Sequence, residues 1–237
     1  MLPVRSVLID FDGTVCVDVT LELLTEFVDA DAWAACDRAF ELDEIRLREA
    51  IQSQNRMLEA DRETLMSFAL EKGCLEPTFP PFLRWCEAKG LEVAIVSDGF
   101  GFYIEPILAA AGLGHVRVIT NEQVWRDGRP DGLRFINAHP ACVGCGNCKI
   151  QAVMRYQERG PVAFIGDGQS DIYAAHYADL TFAKGVLASY CTSRRIPFFA
   201  WNDFEDVRCT IESPGELLNV VAPDRCPGWA PLLREEG

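Results

Sequence analysis

The sequence predicts an α/β fold, a parallel sheet between layers of helices, carrying a separate helical satellite. Two observations predict the sheet. Four short apolar runs each end on a polar or charged residue, and helical patterns fill the stretches between them. Such runs suit strands buried on both faces, and strand–helix alternation implies right-handed crossovers. A third observation predicts the satellite: residues 20–72 are poor in Gly and Pro and rich in Leu, Ala, Glu and Arg.

The first run, Val4 to Ile9, ends at Asp10. Next, Leu21, Leu24, Phe27 and Val28 recur at helical spacing, as do Leu42, Ile45 and Leu47, then Leu58, Leu65 and Phe68. That stretch is too long for one crossover and reads as a bundle of three or four helices. The expected division is a core of residues 1–15 and 76–237 with a helical cap at 16–75. Pro81 to Ala88 reads as a helix stopped by Lys89-Gly90, and the second run, Leu91 to Val96, ends at Ser97. Phe102 to Ala111 is a helix closed by Gly112. Gln123 to Ile136 reads as a hairpin turning at Asp127-Gly128. Lys149 to Glu158 is a helix closed by Gly160. The third run, Val162 to Gly166, ends at Asp167, a helix follows over Ser170 to Tyr177, and the fourth run, Leu180 to Ala183, ends at Lys184. The Pro-rich tail Pro223 to Gly237 reads as irregular or frayed.

Composition narrows the function. The chain has 237 residues, 49% of them hydrophobic, with a formal charge of −14. Nucleic-acid binding needs a basic face, and the only Lys/Arg cluster is Arg194-Arg195. No apolar run approaches the ~18 residues of a membrane span, and the N-terminus lacks a signal-peptide layout. A cytoplasmic location is expected, with no membrane partner. The ten cysteines then read as mainly reduced thiols.

The strand ends carry the chemistry. Asp10-Phe11-Asp12-Gly13-Thr14 places two carboxylates two residues apart, on one side of an extended backbone. Ligands of open α/β sheets sit beyond such carboxyl ends. One carboxylate suits a nucleophile and the other a general acid/base. Gly166-Asp167-Gly168-Gln169-Ser170-Asp171 offers two more, four residues apart, whose hard oxygens suit Mg²⁺. Ser97-Asp98-Gly99 offers a hydroxyl and backbone N–H groups for an anion. Lys149, one of four lysines, offers a compact positive charge.

Together these motifs resemble the haloacid dehalogenase superfamily, whose pattern is an apolar strand with DxDGT, a strand ending in Ser, a Lys, and a strand ending in GDxxxD. The matched frame runs from about residue 4 to 184. The resemblance implies a Rossmann-like core and a phosphatase. Asp10 would form an aspartyl-phosphate, and Asp12 would protonate the leaving alcohol and then activate water. Ser97, Asp98, Gly99 and Lys149 would hold phosphate, and Thr14 would supply a further hydrogen bond. Asp10, the Asp12 backbone carbonyl, Asp167 and Asp171 would hold Mg²⁺. The presence of Asp12 separates phosphoester hydrolysis from dehalogenation.

A helical insert between the first two motifs resembles the phosphoserine-phosphatase-like branch. That enzyme holds Glu nine residues after its nucleophile, where this chain has Val19 beside Asp18. Gly144-Cys145-Gly146-Asn147-Cys148-Lys149 resembles the methionine-salvage phosphatases that act on an enol phosphate. Phosphoserine, pyridoxal phosphate, phosphocholine and phosphoethanolamine are alternative substrates. A phosphoryl transferase or mutase, and an idle regulatory module, are alternatives of other classes. The partner implied is a small phosphate ester, and a homodimer is allowed. His139, Cys142, Cys145 and Cys148 have the spacing of a second, structural Zn²⁺ site, weighed against a disulfide or plain reduced thiols. The aromatics Trp33, Phe40, Phe68, Phe100, Phe102 and Tyr103 read mainly as core, with a lining of the substrate cleft as the alternative.

Overall fold

The computed structural model describes residues 4–213 and 222–231. Among them, strand β1 (Ser6–Ile9) is followed by four helices: α1 (Val19–Phe27), α2 (Ala30–Glu41), α3 (Leu47–Met57) and α4 (Arg62–Lys72). Three of these start on an aspartate whose side chain accepts an N–H of the first turn. Asp18 takes Leu21, Asp29 takes Ala32 and Asp61 takes Thr64. Asp18, beside the position where phosphoserine phosphatases hold Glu, is thus engaged as a helix cap.

The chain returns to the sheet through α5 (Phe79–Ala88), β2 (Glu92–Val96), α6 (Ile104–Ala110) and β3 (Arg117–Ile119). An antiparallel hairpin, β4 (Glu122–Arg126) and β5 (Arg129–Arg134), leaves the sheet and packs on α3. Asn55 of α3 and Gln123 exchange side-chain hydrogen bonds of 2.7 and 3.0 Å there. Then follow α7 (Lys149–Gln157), β6 (Val162–Gly166), β7 (Leu180–Ala183), α8 (Gly185–Arg194), β8 (Phe199–Ala200) and α9 (Phe204–Glu212). No helix among the described residues is long and apolar enough to cross a membrane.

The sheet order is β3-β2-β1-β6-β7-β8, every pairing parallel. Its strands β1, β6 and β7 are buried on both faces. Along β1, Val7 and Ile9 enter the layer that holds Phe79, Phe82 and Phe204, and Leu8 enters the opposite layer with Val153, Tyr156 and Phe164. The strand order reverses across β1, which delivers Asp10 to the crevice between β2 and β6.

Two expectations differ from the structure. The helix expected over Ser170–Tyr177 is two short 3₁₀ turns, Gln169–Asp171 and Ala174–His176. The Asp171 carboxylate accepts the N–H groups of Asp167 and Gly168 at 3.1 and 3.0 Å, and so tightens that first turn. The zinc set His139, Cys142, Cys145 and Cys148 does not assemble. Among the described residues, one His/Cys/Asp/Glu group brings three ligand atoms within 4.8 Å of one another, and it is Asp10, Asp167 and Asp171. His139 instead accepts the Ala141 N–H at 3.1 Å and sets its ring edge-on to Trp229. The tail expectation falls partly on residues 232–237, outside the described residues; Ala222–Pro231 contains no helix or extended strand.

Candidate active site

The site lies at the C-terminal ends of β1, β2 and β6. Asp10 N–H donates to Ile165 O at 2.9 Å and Ser97 N–H to Ile119 O at 3.0 Å, so the parallel ladder continues one residue past each strand. The backbone then turns sharply. Gly13 has φ +74°, and a side chain there would strike the Asp167 carboxylate. Thr14 Oγ1 donates to Asp167 Oδ1 at 2.6 Å, tying the first motif to the last.

Lys149 is the centre of charge. Its ammonium, 2% exposed, meets Asp10 Oδ1 at 2.8 Å, Asp171 Oδ1 at 2.6 Å and Ser170 Oγ at 2.9 Å. Three acceptors match its three donors. Five carboxylates share this region (Asp10, Asp12, Asp98, Asp167 and Asp171) with that one buried ammonium. Burial raises Asp10 well above the ordinary carboxylate range, Asp171 adds to it, and Lys149 opposes. Asp98 is pushed up to about 6 and Asp12 to about 7, burial being the main cause in both. Asp167 is raised as well, again by burial first. The site is short of positive charge, and a trio of hard oxygen ligands stands within 4.8 Å. That donor chemistry fits Mg²⁺.

Asp12 is held away from this trio. Its Oδ1 accepts the N–H of Val19 at 3.0 Å and of Thr20 at 3.4 Å. Its Oδ2 accepts the Tyr103 hydroxyl at 2.6 Å, and that hydroxyl lies 2.6 Å from Thr20 Oγ1. The carboxylate is therefore anchored to the start of α1. Gly99 closes the cradle. A Cβ there would stand 2.5 Å from Asp12 Oδ2, 2.6 Å from the Tyr103 hydroxyl and 3.1 Å from Ser97 Oγ. Ser97 Oγ accepts the Gly99 N–H at 3.0 Å.

Asp98, placed among the phosphate holders by resemblance, faces elsewhere. Its Oδ1 accepts the Asn147 N–H at 2.6 Å, and its backbone carbonyl accepts from Asn121. Asn147 Nδ2 donates in turn to Ser97 O at 3.0 Å and Ile119 O at 2.7 Å. Asp98 and Asn147 thus fasten the loop that delivers Lys149. Sequence reasoning passed over Thr20, Asn147 and Ser170 as functional groups, and read Tyr103 mainly as core. Asn147 lies inside the Gly144–Lys149 motif, which could have flagged it. Nothing local marks Thr20.

A family profile described as haloacid dehalogenase-like hydrolase matches residues 7–176. Among curated proteins, the chain is 28% identical over 236 residues to the bifunctional enzyme MtnB/MtnX of Bacillus licheniformis, covering 97% of this chain and 54% of that protein. The chain thus spans about half of that relative. It is 27% identical to the 2-hydroxy-3-keto-5-methylthiopentenyl-1-phosphate phosphatase of Brevibacillus brevis, covering 84% of this chain and 90% of that one. Among solved structures, a phospho-aspartyl intermediate analogue of phosphoserine phosphatase superposes with TM-score 0.63 at 16% identity, covering 89% of this chain and 98% of that one. Phosphoserine phosphatase from T. onnurineus gives TM-score 0.65 at 17% identity, with coverages of 89% and 96%. At these identities the solved structures speak for the fold alone.

Proposed function

The chain belongs to the haloacid dehalogenase-like hydrolase family, and from that premise we propose that it is a Mg²⁺-dependent phosphatase of a small phosphomonoester. The observation that carries this reading is the meeting of Asp10, Asp167 and Asp171 with Lys149 at the carboxyl edge of the sheet. The substrate class favoured is the methionine-salvage enol phosphate named for the curated relatives. The core comprises residues 1–15 and 76–237 and the cap residues 16–75. Like the metabolic enzymes it resembles, it works in the cytoplasm.

Asp10 attacks phosphorus, breaking the ester bond and taking the phosphoryl group as an aspartyl-phosphate. Lys149 stays beside the attacking carboxylate and offsets the charge that gathers on the equatorial oxygens. Mg²⁺ held by the Asp10, Asp167 and Asp171 carboxylates supplies further positive charge when bound. The Ser97 hydroxyl and the Gly99 edge give the phosphate its bed. Asp12, raised to about 7, is poised to carry a proton at neutral pH. It leaves the Tyr103–Thr20 anchor, gives that proton to the departing oxygen, and later takes one from the attacking water. The cap, whose first helix begins at that anchor, excludes bulk water and selects the leaving group.

The test is inorganic phosphate release from a panel holding the enol phosphate, phosphoserine, pyridoxal phosphate, phosphocholine, phosphoethanolamine and sugar phosphates, with Mg²⁺ and with chelator. Chelator-sensitive release with one preferred ester supports the reading. Silence across the panel from folded protein overturns it in favour of a transferase or regulatory role.

A further inference from the structure

A cavity of about 890 Å³ lies behind Lys149, between the 137–148 loop, helix α7 and the C-terminal segment. Its wall includes Cys142, Cys145, Cys148 and Cys226, none of them in a disulfide. We propose that these four thiols are the ligands of a soft-metal thiolate centre, a zinc ion or an iron–sulfur cluster.

The tail is fastened where such a site needs it. Val143 N–H donates to Ala230 O at 2.6 Å, and Cys142 and Pro231 form an antiparallel bridge. Two tight turns press together there, since a Cβ on Gly144 would stand 2.8 Å from Gly228 O. From the cap, Arg48 grips the loop by donating to Cys145 O at 2.8 Å and Cys142 O at 2.7 Å. A remote cysteine is thereby locked against three clustered ones.

One of the sulfurs already faces two backbone N–H groups. Gly144 N–H and Ala230 N–H each donate to Cys142 Sγ at 3.4 Å. The Gly144 donor lies two residues beyond Cys142, in a turn that wraps its sulfur. Hydrogen bonds to sulfur favour the deprotonated, metal-binding form and tune iron–sulfur centres. With no metal, burial keeps Cys145, Cys148 and Cys226 raised, so metal uptake must release protons.

Ligand choice follows from spacing. His139 is turned to its own loop and to Trp229, and Cys226 takes the fourth place. One tetrahedral zinc with Zn–S of ~2.3 Å holds its sulfurs about 3.8 Å apart. No three of these thiols lie within 4.8 Å of one another, so a zinc ion would have to draw them in. A cluster binds one thiolate per iron and accepts a wider spread. Cys-x2-Cys-x2-Cys with a distant Cys-Pro also follows the ferredoxin ligand pattern. Either centre would fix the loop ending at Cys148, and with it the adjacent Lys149.

The full chain, expressed with zinc and iron and purified without oxygen, is assayed for zinc, iron, acid-labile sulfide and visible absorption. One zinc, or iron with matching sulfide and a brown chromophore, per chain is expected, and the two results separate the two centres. Cys226→Ser should lower metal affinity by at least ~10-fold, and His139→Ala should leave it unchanged. Because a cysteine variant can misfold, the wild-type chain is also titrated with Zn²⁺ against a chromophoric chelator and reconstituted with iron and sulfide, with proton release recorded. A wild-type chain that carries no metal and takes none by either route overturns the proposal. So does Cys226→Ser that is folded and binds metal like wild type.

Discussion

Tyr103→Phe removes a single hydroxyl from the group that holds Asp12. That hydroxyl donates to Asp12 Oδ2 at 2.6 Å, and Tyr103 is fully buried. Asp12 is pushed up to about 7 by burial and by the nearby Asp18, against the pull of the Tyr103 bond. A hydrogen bond to a charged acceptor is worth ~1.5–3 kcal/mol and one to a neutral acceptor ~0.5–1.5. Losing it therefore favours protonated Asp12 by about 1 kcal/mol. At 1.36 kcal/mol per pH unit, this raises Asp12 by roughly 0.7 unit. Val19 and Thr20 still donate to Oδ1, which keeps the carboxylate in place. Only protonated Asp12 can serve the leaving oxygen, so the alkaline limb of kcat/KM should move up by roughly 0.7 unit. Phosphate release followed between about pH 5 and 9 measures it. An unchanged limb, or one displaced to lower pH, refutes the assignment of Asp12 as the acid that Tyr103 tunes.

Asp10→Asn should cost at least ~10⁴-fold in kcat while leaving the circular dichroism spectrum unchanged, since an amide cannot attack phosphorus. Asp12→Asn should stabilise the chain at pH 8 and not at pH 4. Folded Asp12 keeps its proton up to about 7 against an ordinary 3.8, so stability falls as pH rises between those values. The gain, read by denaturant melts, should be roughly 1–2 kcal/mol after solvent screening of a larger ceiling. Gly99→Ala should lower kcat/KM by roughly 10–100-fold, because its Cβ would stand 2.5 Å from Asp12 Oδ2 and displace it. Asn147→Ala removes the side-chain donor to the Ser97 carbonyl and one of the two donors to the Ile119 carbonyl, so the melting temperature should fall by the equivalent of about 2 kcal/mol. KM should rise with it as the loop carrying Lys149 loosens.

The central strands were legible because both their faces are buried, so β1, β2, β6 and β7 read as continuous apolar runs. The edge strands β3 and β8 escaped notice, being three and two residues long. The helices α1 to α4 showed themselves through helical spacing and the want of Gly and Pro, and the hairpin through Asp127-Gly128, both at positive φ. The 3₁₀ turns after β6 were not legible, because the Asp171 side chain competes for the local N–H groups that would set a helix. In the candidate site, strand-end position marked Asp10, Asp12, Ser97 and Asp167, and chemical type marked Lys149 at the start of α7. Pairing across the chain did not show. The Tyr103 bond to Asp12, the Asp98–Asn147 tie and the approach of Cys226 to the 142–148 loop are tertiary facts that no local pattern encodes.

Chemical trapping of the covalent intermediate tests the central claim most directly. The chain is mixed with its preferred phosphate ester and Mg²⁺, quenched in mid-turnover, and reduced with borohydride, which converts an acyl-phosphate to an alcohol. Peptide mass spectrometry should then find homoserine in place of aspartate at position 10, and at no other aspartate. Turnover without that mark, or the mark at Asp12 or Asp167, would contradict the account.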